Sequence, residues 1–159
     1  MQKFVNGLAA FGLIVAASVA PAQAACWSSA DIAAAKVRDM ETMLMVSALR
    51  CRSVDPQLLG EYNEFVRESR GALTAVNDTL RAHFADAGGL NAYDRFVTAI
   101  ANRYGAGVAG LSCGDMASIL SAAKAEGGSL TGLTRLANDA QVIPVISGTV
   151  CPSELALAQ

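Results

Sequence analysis

The sequence predicts an all-α protein, a disulfide-stapled up-and-down bundle of four to five helices with an extended C-terminal strap. Apolar residues recur at helical spacing along most of the chain, and glycine pairs and prolines separate the periodic segments. Four cysteines follow an export signal, which is typical of small proteins held together by disulfides. The 135 residues from 25 to 159 are enough for one core, so we expect a single helical domain.

Residues 1–24 have the pattern of a signal peptide. Lys3 supplies the positive start, a run of small apolar residues follows, and Ala22-Gln23-Ala24 has the A-x-A form that signal peptidase cleaves. We expect cleavage after Ala24 and a periplasmic or secreted protein without a stable membrane span. An uncleaved signal anchor is one alternative, although the apolar run is short for a span. Lipidation of Cys26 is another, although Gln23 does not fit a lipobox.

The first predicted helix runs from about Ser29 to Arg52. Ser28 and Asp31 have the spacing of a capping box at its start. Its second half is apolar nearly all the way round, which is typical either of a helix at the centre of a bundle or of a docking surface. The second alternative predicts a homo-oligomer that associates through Met43, Met45, Val46 and Leu49.

The longest periodic segment runs from Asp55 to Phe84, and we expect the rest of the chain to pack around it. Asp55 is a suitable N-cap and Pro56 a suitable first residue, so one continuous helix of about 45 Å is predicted. Gly88-Gly89 allow the chain to reverse after it. Its apolar face consists of Leu58, Tyr62, Phe65, Ser69, Val76 and Leu80, with Leu59, Val66, Leu73 and Phe84 along the edge.

Three shorter helices are predicted after the long one. Asn91 is expected to cap a third helix, which Gly105 ends. Ser112 and Asp115 have capping-box spacing at the start of a fourth, and a fifth covers residues 130–140. The β-branched and proline-containing residues from 142 to 150 then predict an extended strap across the bundle.

The four cysteines are expected to form two disulfides. Cys26 and Cys51 lie at opposite ends of the first helix, about 35 Å apart, so they cannot pair with each other. If consecutive helices are antiparallel, Cys51 meets Cys113 at one end of the bundle, and the strap carries Cys151 back to Cys26 at the other. The rival pairing, Cys26 with Cys113 and Cys51 with Cys151, requires a third helix too short to return the chain.

Few residues suggest chemistry. His83 is the only histidine and lies near the end of the long helix with Asp86 close in sequence, so it is the one candidate for catalysis. The sequence has no G-x-S-x-G, S-x-x-K or H-E-x-x-H motif. Residues 105–110 spell G-x-G-x-x-G, but a predicted helix rather than a strand precedes them, so we interpret them as a loop and expect no cofactor. With the cysteines in disulfides, we expect no metal site.

The inward faces predict either a core network of hydrogen bonds or a ligand site. Tyr62, Tyr93 and Tyr104 need partners for their hydroxyls if they are buried, and Asn77 is a suitable partner for one of them. A ligand carrier would instead need a closed apolar cavity of about 300 Å³ or more. We would expect that cavity among the aromatic side chains and Met40, Met43 and Met45.

Three segments resemble small exported helical proteins of alphaproteobacteria that have no assigned function: 43–51 (MLMVSALRC), 62–66 (YNEFV) and 93–104 (YDRFVTAIANRY). The resemblance covers most of the mature chain and implies no functional residue. Such chains sometimes carry the label S-adenosylhomocysteine hydrolase. The sequence does not support that activity, because the enzyme is a much larger NAD-dependent protein with a Rossmann unit.

These features favour an exported, non-catalytic module that binds or shields a macromolecule in the periplasm or cell envelope. Without Lys3 the chain has 11 basic and 14 acidic residues, a net charge of −3, and no basic cluster, so nucleic acid is not an expected partner. A carrier of a small apolar ligand is the first alternative. A hydrolase that uses His83 is the second.

Overall fold

The computed structural model describes residues 26–152, so the predicted signal peptide and its cleavage site lie outside the described residues. Within this range the protein is an all-α, disulfide-stapled bundle, as predicted. No helix of this range combines the length and apolar character needed to cross a bilayer. The α-helices are α1 (Ser29–Arg50), α2 (Leu58–Glu68), α3 (Arg70–Ala85), α4 (Gly89–Tyr104), α5 (Cys113–Ala125) and α6 (Leu130–Asp139).

Helix α1 is the centre of the bundle, and it packs against all five other α-helices. The prediction that the chain would be organised around residues 55–84 is therefore wrong. Val37, Met40, Leu44 and Ala48 form a buried apolar stripe on α1. Asp39, Glu41 and Thr42, on other faces of the same helix, are buried too. A helix that is covered on every side is the natural core element of a small bundle.

The predicted long helix is interrupted at Ser69, which separates α2 from α3. Its backbone ψ is 9°, although its N–H still bonds Phe65 O at 2.8 Å and its own carbonyl accepts from Leu73 N–H at 2.9 Å. The loop between α5 and α6 packs closely against the backbone at this break. A Cβ added to Gly128 in that loop would lie only 2.8 Å from Glu68 O. The long helix also starts later than predicted, at Leu58, since Asp55 Oδ1 accepts from Gln57 N–H at 3.1 Å within a turn.

The predicted capping boxes of α1 and α5 are confirmed, but the start of α4 differs from the prediction. The side chains of Ser28 and Ser112 accept from the N–H groups of Asp31 and Asp115, and those aspartates accept from the N–H groups of the two serines. Helix α4 begins at Gly89 rather than after Asn91, and its N-cap Gly88 has φ 105° and contributes no side-chain acceptor. Only glycine adopts this conformation without strain, so the chain reverses directly between α3 and α4.

The extended strap and both predicted disulfides are present. Cys51 bonds Cys113 at one end of the bundle, and Cys26 bonds Cys151 at the other. After α6 the strap runs back without helical structure, and Val150 forms an isolated parallel bridge with Trp27. Trp27 N–H donates to Thr149 O at 2.9 Å, and Cys151 N–H donates to Trp27 O at 3.0 Å. The end of the strap is therefore held by backbone hydrogen bonds as well as by a covalent bond.

Candidate functional site

His83 lies in the last turn of α3, buried against residues from the start of the described chain. Its Nδ1 lies 3.3 Å from Asp31 Oδ2. Asp86, the acid expected beside it, is instead the exposed residue after α3. Asp31 Oδ2 also accepts from Ser28 N–H at 3.0 Å and from Ser28 Oγ at 2.8 Å. The capping group of α1 and the histidine of α3 therefore share one carboxylate oxygen.

Trp27 covers the His83 ring, and sequence reasoning had not selected it. The two ring centroids are 3.9 Å apart, and the Trp27 ring also meets Phe84 edge-on at 5.9 Å. Its Nε1–H donates to Ser147 O at 2.8 Å. The signal that could have identified Trp27 is its place next to Cys26, since a tryptophan beside a disulfide at a bundle end is well placed to cover the core.

A cleft of about 370 Å³ opens beside this ring cluster, between the end of α3, residues 92–99 of α4 and the strap. Phe84 and Phe96 form an aromatic wall, with ring centroids 5.4 Å apart. The remaining lining residues are mostly small or apolar. They are His83, Ala87, Ala92, Arg95, Ala99, Val145 and Ser147. Its size falls within the range of about 300–1,000 Å³ that is typical of small-molecule sites.

The cleft is not where a ligand cavity was expected. Met40 and Met43 are 0% and 4% exposed and belong to the core around α1, and neither of them lines this cleft. The burial of Met43 also removes it from the proposed homo-oligomer surface. Of the other residues of that surface, Met45 and Val46 are half-buried and Leu49 is 48% exposed. The apolar second half of α1 therefore mainly serves the core.

The buried tyrosines have hydrogen-bond partners, as a core network requires. Tyr93 donates to Asn77 Oδ1 at 2.8 Å, so Asn77 is the partner of one of the three tyrosines, as predicted. Tyr62 donates to Glu41 on α1, and burial together with that carboxylate raises the Tyr62 pKa far above its ordinary value. Sequence reasoning missed Glu41 because its pairing depends on which helices surround α1.

A second buried acid, Asp39, joins α1 to α4 and the strap. Its Oδ1 accepts from Tyr104 and from Arg103, and Arg103 also donates to Ile143 O at 2.8 Å. Burial raises the Asp39 pKa from its ordinary value, and the bonds from Tyr104 and Arg103 oppose that rise. Burial and the neighbouring Asp39 likewise raise the Tyr104 pKa. This network fixes the start of the strap and does not line the cleft.

The glycine-rich loop at 105–110 is structural. Helix α4 ends directly before it. Arg50 donates to Gly105 O, and its guanidinium lies beside Gly107, whose φ is 98°. The loop therefore packs against the end of α1 near the Cys51–Cys113 disulfide and has none of the strand context of a dinucleotide site.

The described neighbours of the His83 ring are an acid, Asp31, and the aromatic rings of Trp27 and Phe84. Nucleophilic catalysis needs a hydroxyl or thiol within hydrogen-bond reach of the base. Among residues 26–152, the His83 ring has only Asp31 as a hydrogen-bond partner. In the same range, no group of three or more His, Cys, Asp or Glu side chains is placed to hold a metal ion.

No protein-family profile, no curated protein and no solved structure matches the chain.

Proposed function

We propose that the protein is an exported, non-catalytic binding module, and that the cleft between α3, α4 and the strap is its binding site. The observation that carries the proposal is the cleft itself, in which the rings of Phe84 and Phe96 lie on the same lining as the charged Arg95. The Cys26–Cys151 disulfide anchors the strap that forms one side of the cleft. A preformed concave site of this kind binds ligand without first having to become ordered.

A small ligand is the occupant that the geometry favours. The cleft is bounded by the end of α3, one side of α4 and the strap, and its volume of about 370 Å³ suits a small molecule. It differs from the expected carrier cavity in one respect, because it is a surface cleft rather than a closed chamber. A carrier with such a site would load and release its ligand without opening the bundle.

Equilibrium binding of N-phenyl-1-naphthylamine, a neutral apolar fluorophore, tests the cleft. Residues 25–159 with intact disulfides should bind the fluorophore saturably and with a stoichiometry of one. Ala99→Phe places a ring in the lining of the cleft and should weaken binding about tenfold or more, because the ring fills part of the volume that the ligand needs. Ala125→Phe, at an exposed position of α5, is the matched control. Equal binding by the two variants, or no binding by the parent protein, would overturn the proposal.

Export is the second part of the proposal. It is supported by the signal-peptide pattern of residues 1–24 and by the pairing of all four cysteines, since such bridges persist mainly in oxidising compartments. N-terminal sequencing of periplasmic or secreted material should begin at Ala25. Recovery of an uncleaved chain in the membrane fraction would contradict the assignment.

A macromolecular partner is a second candidate, favoured by the outer side of the strap. Ile143 is 78% exposed, although it is a β-branched apolar residue, and it does not line the cleft. Its side chain would suit an extended apolar segment of an envelope protein that pairs along the strap. Ile143→Ser should then abolish co-purification with a defined partner while fluorophore binding in the cleft is retained. Loss of both activities would assign Ile143 to the cleft instead.

A further inference from the structure

We propose that the cleft selects small amphiphiles that carry one negative charge, and that Arg95 recognises that charge. The inference rests on the proposed binding function of the cleft. The first observation is the charge of the lining: among residues 26–152, Arg95 and His83 are the only ionisable side chains that line the cleft, and no aspartate or glutamate of this range does. A partly desolvated site with a single cation favours an anionic group over a neutral or cationic one.

The side chain of Arg95 is free to bind. Helical spacing places Arg95 on the same face of α4 as Ala92 and Ala99, which also line the cleft. Among residues 26–152, the exposed Arg95 forms no ion pair and no side-chain hydrogen bond, whereas Arg103 on the same helix is fully engaged with Asp39 and Ile143 O. Its planar fork of N–H donors matches a carboxylate in two-point geometry.

The position of the Arg95 guanidinium indicates where the anionic group of the ligand would lie. Arg95 Nη2 reaches back over the start of α4, where it would lie 3.8 Å from a Cβ added to Gly88. The N-cap of α4 contributes no side-chain acceptor, so the first N–H groups of the helix add to the positive potential there. The last carbonyls of α3 oppose this potential at nearly the same place. Because the two helix ends offset each other, the charge preference of the cleft depends mainly on Arg95.

The other lining residues of the cleft indicate the shape of the apolar part of the ligand. Phe84 and Phe96 present two rings, and Ala87, Ala92 and Ala99 leave room beside them. Flat or branched apolar groups pack well against such rings. The structure therefore favours an aromatic or compact aliphatic body with one anionic group directed toward the turn between α3 and α4.

Three probes with one shared body separate charge recognition from apolar binding. They are 2-naphthoate, its neutral analogue 2-naphthamide, and the cationic 2-naphthylmethylammonium. By calorimetry, the anion should bind about tenfold more tightly than the amide, because a charge-assisted pair with arginine is worth more than a neutral contact. The cation should bind more weakly than both. Raising the salt concentration should weaken binding of the anion and leave that of the amide nearly unchanged.

The variant Arg95→Gln assigns the preference to one residue. It should raise the dissociation constant of 2-naphthoate about tenfold and change that of 2-naphthamide less than twofold. Arg52→Gln removes an exposed arginine from the opposite end of α1 without touching the cleft and should change neither. Melting curves of both variants check that the fold is retained.

The outcomes separate this inference from the proposed function. Equal affinity for anion and amide would overturn charge selection, while the binding cleft would stand. An anion preference that survives Arg95→Gln would overturn the assignment to Arg95. If none of the three probes binds but the neutral fluorophore still distinguishes Ala99→Phe from Ala125→Phe, the ligand class is wrong and the cleft is still a binding site.

Discussion

Trp27 and His83 stack with ring centroids 3.9 Å apart and an angle of 32° between their planes. The pair connects the start of the described chain to the last turn of α3, and Asp31 contacts the histidine from the first turn of α1. Trp27 is the only tryptophan in the chain. Its fluorescence therefore reports on this corner of the molecule and on nothing else.

Replacing His83 with alanine should destabilise the protein and change the Trp27 emission. The change removes a buried ring that stacks on Trp27, so we expect a loss of about 2–3 kcal/mol in the free energy of unfolding and a red-shifted emission. Chemical denaturation followed by fluorescence measures both. Asp86→Ala, at the exposed acid close in sequence, should leave both nearly unchanged. An unaltered emission in His83→Ala would contradict the stacked arrangement.

The two disulfides should contribute similar stability but have different local effects. The bridged residues are 125 positions apart for Cys26–Cys151 and 62 for Cys51–Cys113. In the chain-entropy model both values correspond to about 4–5 kcal/mol. Serine replacement of either pair should therefore lower the free energy of unfolding by comparable amounts.

Only the loss of Cys26–Cys151 should change the Trp27 emission of the folded protein. That bridge holds the strap whose Ser147 carbonyl accepts from Trp27 Nε1–H. The Cys51–Cys113 variant is the matched control, because its bridge lies at the other end of the bundle. A shift of equal size in both variants would mean that the strap is not locally anchored.

Two neighbouring glycines should respond differently to alanine. Gly127 and Gly128 both have positive φ, 56° and 74°, so each substitution costs about 1–2 kcal/mol of backbone strain. A Cβ at Gly127 meets nothing within 4 Å, whereas a Cβ at Gly128 would lie 2.8 Å from Glu68 O. Thermal unfolding should therefore show a further loss of about 1–3 kcal/mol for Gly128→Ala. Equal losses of stability in the two variants would show that the α5–α6 loop is not closely packed against the break at Ser69.

Removing Arg103 should destabilise the protein in a pH-dependent way. Arg103→Met leaves Asp39 buried without its cation, which costs about 3–5 kcal/mol at pH 7. Burial already raises the Asp39 pKa from 3.8, and loss of Arg103 raises it further. Between pH 3.8 and that raised value the folded state binds more protons than the unfolded chain, so stability falls as pH rises.

The loss caused by Arg103→Met should therefore be smaller at pH 4 than at pH 7. Urea denaturation at the two pH values measures it. Arg135→Met, which breaks an exposed pair with Glu126, should cost less than about 1 kcal/mol at pH 7. A loss for Arg103→Met that does not depend on pH would contradict the account of Asp39 as a buried, ionisable partner.

The local parts of the fold could be predicted from sequence because they depend on neighbouring residues. Ser28 and Ser112 cap helices through acids three positions later, and this spacing is visible without a structure. The disulfide pattern followed from helix lengths and directions. The apolar face of residues 58–84 was also correct, because Ser69 interrupts the helix without shifting the phase of the stripe.

The parts that failed depend on contacts between distant segments. The break at Ser69 packs against the loop that contains Gly128, which lies about sixty residues later in the sequence. Asp39 and Glu41 were not expected in the core, because a charged residue on a helix normally faces water. They are buried because α1 is surrounded, and their partners Arg103 and Tyr62 lie on other helices. The cleft escaped prediction for the same reason, since the end of the strap and α4 meet only in the folded protein.

The bond between Cys26 and Cys151 makes the described chain a covalent ring, crossed by a chord from Cys51 to Cys113. Synthesis proceeds from the N-terminus, so Cys26 emerges among the first residues of the domain and its partner among the last. The chord can close while α6 and the strap are still being made, whereas the ring can close only after α1 to α6 are present. Closure of the ring is therefore the step that locks the bundle of these six helices, and a chain truncated before Cys151 would remain open.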